Sequence, residues 1–507
     1  MAAPAEKLAK SLDVLKALRD KGRVAIRTVD LTRTHRQRLV SGGFIREVMK
    51  GWYIPSRPDE PQGESTSWYA SFWAFCGAYL SERFGDEWCL SPEQSIGLHT
   101  GDWTVPKQLL VRSPRGNNKP TGLLYGTSVF DVRLDLPRQQ DVEVRDGVRI
   151  ITLPAALISC APSHFVANPA GLRAALAMVR DASDVLGRLL EGGHSKVAGR
   201  LAGAFRNVGR EQIADNITRS MQSAGYTINE SDPFEDSSPV TFSPRETSPY
   251  VNRLRMTWTT MREEVLKIFP RPPGSSGDPA GYMKRIEEIY AADAYNSLSI
   301  EGYQVTNDLI ERARSRAWNP HANQGDRDQR DALAARGYWQ AFQSVKQSID
   351  KVLHGENVGI SADRDHATWC RELFAPSVTA GILKASDLAG YRNGPVHIRR
   401  SMHVPPRHEA VRELMPTFFE LLQQENEPAV RVVLGHFAFV YIHPYFDGNG
   451  RVGRFMMNLM MASGGFPWTI VPLKRRAEYM SALESASVDQ DIKPFSKFLR
   501  SLLQDEK

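Results

Sequence analysis

The sequence predicts a mixed multidomain chain: a winged helix-turn-helix, an α+β middle region, then a mainly α-helical half carrying one β-hairpin. Three observations predict this. The chain has 507 residues, too many for one ordinary core. Its hydrophobic share of 41% and charged share of 24% are those of a chain that folds throughout. Stretches rich in proline, serine and glycine at Ser231–Pro249 and Phe269–Pro279 separate a front part of mixed periodicity from a back part of helical periodicity. The expected divisions are 1–60, 61–230, 231–280 (linker and connecting helix) and 281–507.

In the first division Leu8, Leu12, Leu15 and Leu18 recur at helical spacing, and Gly22 supplies the stop. The basic stretch from Arg33 through Arg36 to Arg38 follows, broken by Gly42-Gly43. Phe44 to Ile54 reads as a hairpin with Lys50-Gly51 at its turn. In the second division Trp68–Phe84 is helical and aromatic, while Gln108–Arg112 and Val148–Thr152 are strand-like. Residues 169–226 read as helices, with Leu172, Ala175, Met178 and Val179 on one apolar face. The last division is helical except at Tyr391–Pro406. There Val396 and Ile398 alternate and Pro405-Pro406 ends the run, as in a β-hairpin.

Composition narrows the classes. A net charge of +6 is modest for this length, compatible with a polyanionic partner and equally with an ordinary basic surface. Cys76, Cys89, Cys160 and Cys370 show no CxxC spacing, which argues against a disulfide framework or zinc site and fits a reducing cytoplasm. The greasiest stretch, Ala429–Ile442, is interrupted by Arg431 and His436 and falls short of the ~20 apolar residues a bilayer span needs. A cytoplasmic protein with no membrane partner is expected.

Chemistry concentrates at residues 443–454, His-Pro-Tyr-Phe-Asp-Gly-Asn-Gly-Arg-Val-Gly-Arg. The apolar helix before it ends at Pro444, and Gly448-Asn449-Gly450 allows a tight turn whose N–H groups converge on an anion. Helical pattern resumes at Arg451, so the glycines open a helix N-terminus suited to phosphate. Arg451 and Arg454, three apart, add charge on one face. Asp447 is placed to share Mg²⁺ with phosphate oxygens, and His443 to act as a base with a pKa near neutrality.

This run resembles the signature of the Fic family, His-Pro-Phe-x-Asp-Gly-Asn-Gly-Arg-x-x-Arg, with Tyr445 in place of the phenylalanine. The resemblance covers about 280–500. It implies transfer of AMP from ATP to a hydroxyl of a target protein, or of the chain itself, with release of pyrophosphate. His443 would take the hydroxyl proton, Asp447 would bind Mg²⁺, and residues Gly448, Asn449, Gly450, Arg451, Val452, Gly453 and Arg454 would line the nucleotide site. Glycine at 450 favours AMP transfer over phosphorylation, since phosphorylating relatives resemble this motif with lysine there.

Three further segments resemble the family. Val396, His397, Ile398 and Arg399 stand where its target-clamping flap lies. In Arg476-Ala-Glu-Tyr479-Met480, Tyr479 stands near the adenine. Ser297-x-x-x-Glu301-Gly302 is similar to the family's inhibitory motif, within a helix at 281–302, whose glutamate would occupy the γ-phosphate site on Arg454. A carboxylate at a helix C-terminus meets about half a negative charge, so Glu301 calls for a cation.

The front of the chain looks like the abortive-infection type IV antitoxins, on the helix ending at Gly22, the Gly43-Phe44-Ile45 turn and the Gly51-Trp52-Tyr53 ending. That resemblance would put Arg33, Arg36 and Arg38 on a recognition helix for duplex DNA, with a protein-contact role as the alternative. Three functions stay open at this level: an autoinhibited AMP transferase, a DNA-binding regulator or antitoxin with a subsidiary Fic part, and an enzyme using the same site to remove AMP.

Overall fold

The computed structural model describes residues 4–60, 63–234, 248–274, 277–315 and 330–505, so parts of both linker-like stretches, 235–247 and 275–276, lie outside the described residues. The chain forms two compact units, Met1–Arg253 with His397–Val404, and Leu254–Val396 with Pro405–Lys507.

The first unit begins with the helix Pro4–Asp20, the short strand Ile26–Arg27 and the helix Arg33–Ser41, then the hairpin Ile45–Met49 with Trp52–Pro55. Gly51 turns that hairpin at φ 84°, where a side chain would be strained. Leu15, Ile26, Leu31, Leu39, Ile45 and Tyr53 form its own small core. One 3₁₀ turn, Thr28–Asp30, stands before the Arg33–Ser41 helix; Asp30 shapes it by accepting the Arg27 N–H and pairing with Arg23. Beyond it, the helix Thr66–Phe84 packs Trp68, Phe72 and Phe75 into a core shared with Val111 and Val129 of a four-stranded sheet. Within that sheet Gln108–Ser113 and Ser128–Arg133 run parallel, Leu109 opposite Val129. Short helices then follow from Leu153 to Ser223.

The described part of the second unit is helical. Its centre is a helix pair, Pro428–Ile442 (the histidine helix) and Asn449–Ser463 (the loop helix), both lined with buried side chains. The long helices Pro279–Ile300, Arg330–Leu353 and Val358–Thr379 pack around the loop helix. Among the described residues no helix is long and apolar enough to cross a membrane.

One expected element is absent. Residues 390–406 contain no strand, so Val396, His397, Ile398 and Arg399 do not belong to a β-hairpin. The backbone groups a ladder would use are engaged elsewhere: the Arg392 guanidinium donates to the carbonyls of Gly394 and Pro406, and Val105 N–H donates to that of Met402. Arg400 at φ 60° also turns the chain out of extended geometry.

Candidate active site

The histidine helix ends because Pro444 supplies no N–H and disfavours helix at the residue before it. His443 caps the helix in the left-handed region, φ 53° and ψ 61°. Its Nδ1 lies 3.2 Å from the Val440 carbonyl, which can only accept, so Nδ1 carries the proton and Nε2 presents a lone pair. The ring keeps some solvent exposure, yet burial pushes its pKa down to about 4, with the backbone bond to Val440 opposing and the Arg392 charge assisting. The imidazole is thus held neutral in this structure, its Nε2 lone pair unprotonated, where the sequence suggested a pKa near neutrality.

Asn449 locks the loop. Its Oδ1 accepts the Tyr445 N–H at 2.9 Å and its Nδ2 donates to the Tyr445 carbonyl at 2.8 Å. Gly448, at φ 85°, turns the chain into the loop helix, and no side chain caps that helix. The first-turn N–H groups therefore form an open anion nest. Asp447 is exposed, its Oδ1 accepting from Gly448 N–H at 2.6 Å and from Arg451 Nη2 at 3.2 Å.

Both loop arginines are buried, Arg451 at 1% exposure and Arg454 at 4%. Arg451 lies over the rings of Tyr303 and Phe374. Arg454 donates from Nε to Ser297 Oγ at 2.9 Å, and from Nη2 to the Ser297 carbonyl at 3.0 Å and Glu301 Oε1 at 2.7 Å. The cation that Glu301 calls for at its helix end is thus Arg454. Burial opposes ionisation of Glu301, but Arg454, Arg451 and Arg476 outweigh it and hold the carboxyl below its ordinary range. Two buried guanidinium nitrogens, Arg451 Nε and Arg454 Nη1, have no hydrogen-bond partner among the described residues. Buried donors of this kind are costly unless something accepts from them.

The structure thus brings together His443, Asp447, Gly448, Asn449, Gly450, Arg451, Arg454, Ser297 and Glu301. Val452 and Gly453 instead face the interior: Val452 is fully buried, and Gly453 passes its carbonyl to His436. Tyr479, expected near the adenine, is a buried residue of this region. Its ring is 1% exposed, packed against Phe495 and Phe498, and its hydroxyl lies 2.7 Å from His436 Nε2. That hydroxyl serves a buried histidine whose other nitrogen already bonds the Gly453 carbonyl. His397, Ile398 and Arg399 fall in the first unit, where Arg399 pairs with the buried Glu64 at 2.6 Å. Of the three basic-helix residues Arg33 is exposed, while Arg36 and Arg38 each donate to a backbone carbonyl, of Thr28 and Lys7. Tyr445 is buried as expected, its hydroxyl unpartnered among the described residues.

Sequence reasoning overlooked two residues that shape the site, His436 and Arg392. His436 gave no signal beyond interrupting an apolar run; Arg392 was visible only as part of Gly390-Tyr-Arg-Asn-Gly394.

A glycine turn between two helices thus gathers one histidine, two guanidiniums and two carboxylates. Residues 371–461 match the Fic/DOC family. Protein adenylyltransferase Fic of Nematostella vectensis is 38% identical over 238 residues, 46% of this chain and 50% of that protein. Protein adenylyltransferase fic-1 of Caenorhabditis elegans is 35% identical over 112 residues, 21% of this chain and 22% of that protein. Among solved structures, Fic-1 from C. elegans aligns with 63% of this chain and 90% of that one at 17% identity, with a TM-score of 0.37. The chain spans between about a fifth and a half of the length of these curated relatives.

Proposed function

We propose that this chain is an autoinhibited protein AMP transferase that uses ATP and Mg²⁺. The observation that carries the reading is the set of unused donors at the loop-helix N-terminus: two buried guanidiniums, each paired with one carboxylate, keep Arg451 Nε and Arg454 Nη1 unpartnered among the described residues beside a helix start that no side chain caps. A polyphosphate supplies the acceptors this site lacks. In this reading the helix N-terminus and Arg451 hold the inner phosphates, and Arg454 holds the γ-phosphate once Glu301 withdraws. His443 Nε2 takes the proton of a protein hydroxyl, whose oxygen bonds to the α-phosphorus as the bond to the bridging oxygen breaks and pyrophosphate leaves. Among the described residues no three metal-ligating side chains cluster. Mg²⁺ would therefore rest on Asp447 together with the nucleotide's own phosphates, and would supply charge neutralisation there. The relatives named adenylyltransferases support the reaction type.

Incubation of the purified protein with α-labelled ATP and Mg²⁺ tests the reading. Label on the chain or on lysate proteins is expected, and is lost in His443→Ala. Release of AMP from a premodified target, without labelling, would favour the reverse reaction at the same site. For the front region we propose a winged helix that meets duplex DNA through the exposed face of Arg33–Ser41. Its binding would weaken as salt rises, since displaced counterions drive such association, and salt-independent or absent binding to a promoter-sized fragment library would leave protein contact. A cytoplasmic, toxin–antitoxin setting is part of this second proposal.

A further inference from the structure

Arg392 is 1% exposed and forms no ion pair among the described residues. Its guanidinium is spent on main-chain carbonyls. Nε donates to His443 at 2.8 Å, Nη1 to Gly394 at 3.1 Å, and Nη2 to Pro406 and, at 3.4 Å, to Ile442. Its own N–H donates to the Pro444 carbonyl at 2.9 Å. One residue therefore engages three consecutive carbonyls, 442 to 444, across the point where the histidine helix breaks. Burying a guanidinium without a carboxylate is unfavourable, and burial lowers its pKa to about 10. A neutral packing residue would fill the volume without that cost. The acceptors say what the charge is for: two are the last carbonyls before the loop, and two lie on either side of the segment 395–405.

His443 sits in a backbone conformation that residues other than glycine rarely adopt. Such a conformation persists only where its surroundings hold it, and the bond from Arg392 Nε to the His443 carbonyl is a direct hold. Because ring direction follows from backbone direction, the aim of Nε2 depends on that bond. We infer that Arg392 is the positioning residue of His443, fixing its left-handed backbone and the direction of its imidazole through the carbonyls of residues 442–444. This rests on His443 being the base of the proposed reaction.

The test uses the full chain in a Glu301→Gly background, where the transfer rate is expected to be measurable, with Arg392→Met and Arg392→Lys added. Arg392→Met is expected to lower kcat for self-modification by about 10- to 100-fold, the range for a reacting group displaced by roughly 1 Å. KM for ATP should hold, because Arg392 touches none of the phosphate-binding residues. Arg392→Lys keeps the charge but not the fork, and should recover part of the loss. An independent readout is the NMR titration of the His443 ring, assigned by comparison with His443→Gln. Removing the nearby positive charge should move its midpoint to higher pH in Arg392→Met and leave it nearly in place in Arg392→Lys. A fall in kcat matched by a rise in KM, or an unmoved His443 titration in Arg392→Met, would overturn the inference. If the Glu301→Gly parent itself fails to transfer AMP, the proposed reaction fails, while the titration still decides the role of Arg392. Should Arg392→Met not fold, Arg392→Lys carries the kcat–KM comparison and Arg392→Gln the titration.

Discussion

Glu301 Oε1 lies 2.7 Å from Arg454 Nη2 and directly above Gly450, so that a Cβ at position 450 would overlap the carboxylate oxygen. The carboxylate thus sits where the loop helix presents its N-terminus, the place an incoming phosphate would take. A substitution that removes Glu301 should free Arg454. Glu301→Gly is expected to raise transfer by at least about tenfold, within the ~100-fold that a displaced reacting group costs. Initial rates with labelled ATP check this, with circular dichroism confirming the fold. Equal rates for both proteins would reduce Ser297–Gly302 to an ordinary helix ending.

The same contact predicts a reversal of sign at Gly450. Alanine in a helix is favoured over glycine by about 1 kcal/mol, yet in the wild type the new methyl meets Glu301 Oε1. Gly450→Ala should therefore lower the melting temperature of the wild type and hold or raise that of Glu301→Gly. Thermal denaturation of the four proteins in one cycle reads the coupling. Parallel shifts in both backgrounds would show that the carboxylate does not rest there.

Tyr479 should matter for stability and not for nucleotide affinity. Tyr479→Phe leaves His436 Nε2 buried without its 2.7 Å partner, which costs about 1–3 kcal/mol. The expected result is a lower melting temperature with KM for ATP unchanged; a raised KM at full stability would return the ring to the adenine pocket.

His436 also links stability to pH. Burial lowers its pKa from 6.5 to about 4, the bond to Gly453 partly opposing, so the folded state takes up its proton later than the unfolded chain does. Stability from this group is complete above pH 6.5 and is lost as pH falls toward about 4. The stability difference between wild type and His436→Gln should accordingly shrink over that window. A difference that stays constant would mean that His436 is protonated in the fold.

Much of the site was legible in the sequence because its residues sit close together along the chain. Proline, the glycine turn and two arginines three apart dictate a helix break and a helix start, and Asn449 closes the loop between them. Glu301 was legible for a different reason: a carboxylate at a helix end demands a cation, and the resemblance of Ser297–Gly302 to the family's inhibitory motif implied Arg454, 153 residues away, as that cation. What escaped notice depends on tertiary contact. Alternation at Val396 and Ile398 suggested a hairpin, but a ladder needs free carbonyls, and Arg392 takes those of Gly394 and Pro406. Tyr479 was read from its neighbours in a motif, whereas its place follows from His436, 43 residues away and otherwise anonymous. In the front unit, three arginines counted as one basic face. Only Arg33 is exposed, since Arg36 and Arg38 cap carbonyls within their own unit.

The central claim is that His443 and the loop helix transfer AMP under the restraint of Glu301. Its most direct test is one gel of wild type, Glu301→Gly and Glu301→Gly with His443→Ala, each incubated with α-labelled ATP and Mg²⁺. The account predicts faint label on the first, strong label on the second and none on the third, with calorimetry showing that the third still binds ATP. Label on the third protein equal to that on the second, or none on the second while it binds ATP, would contradict it.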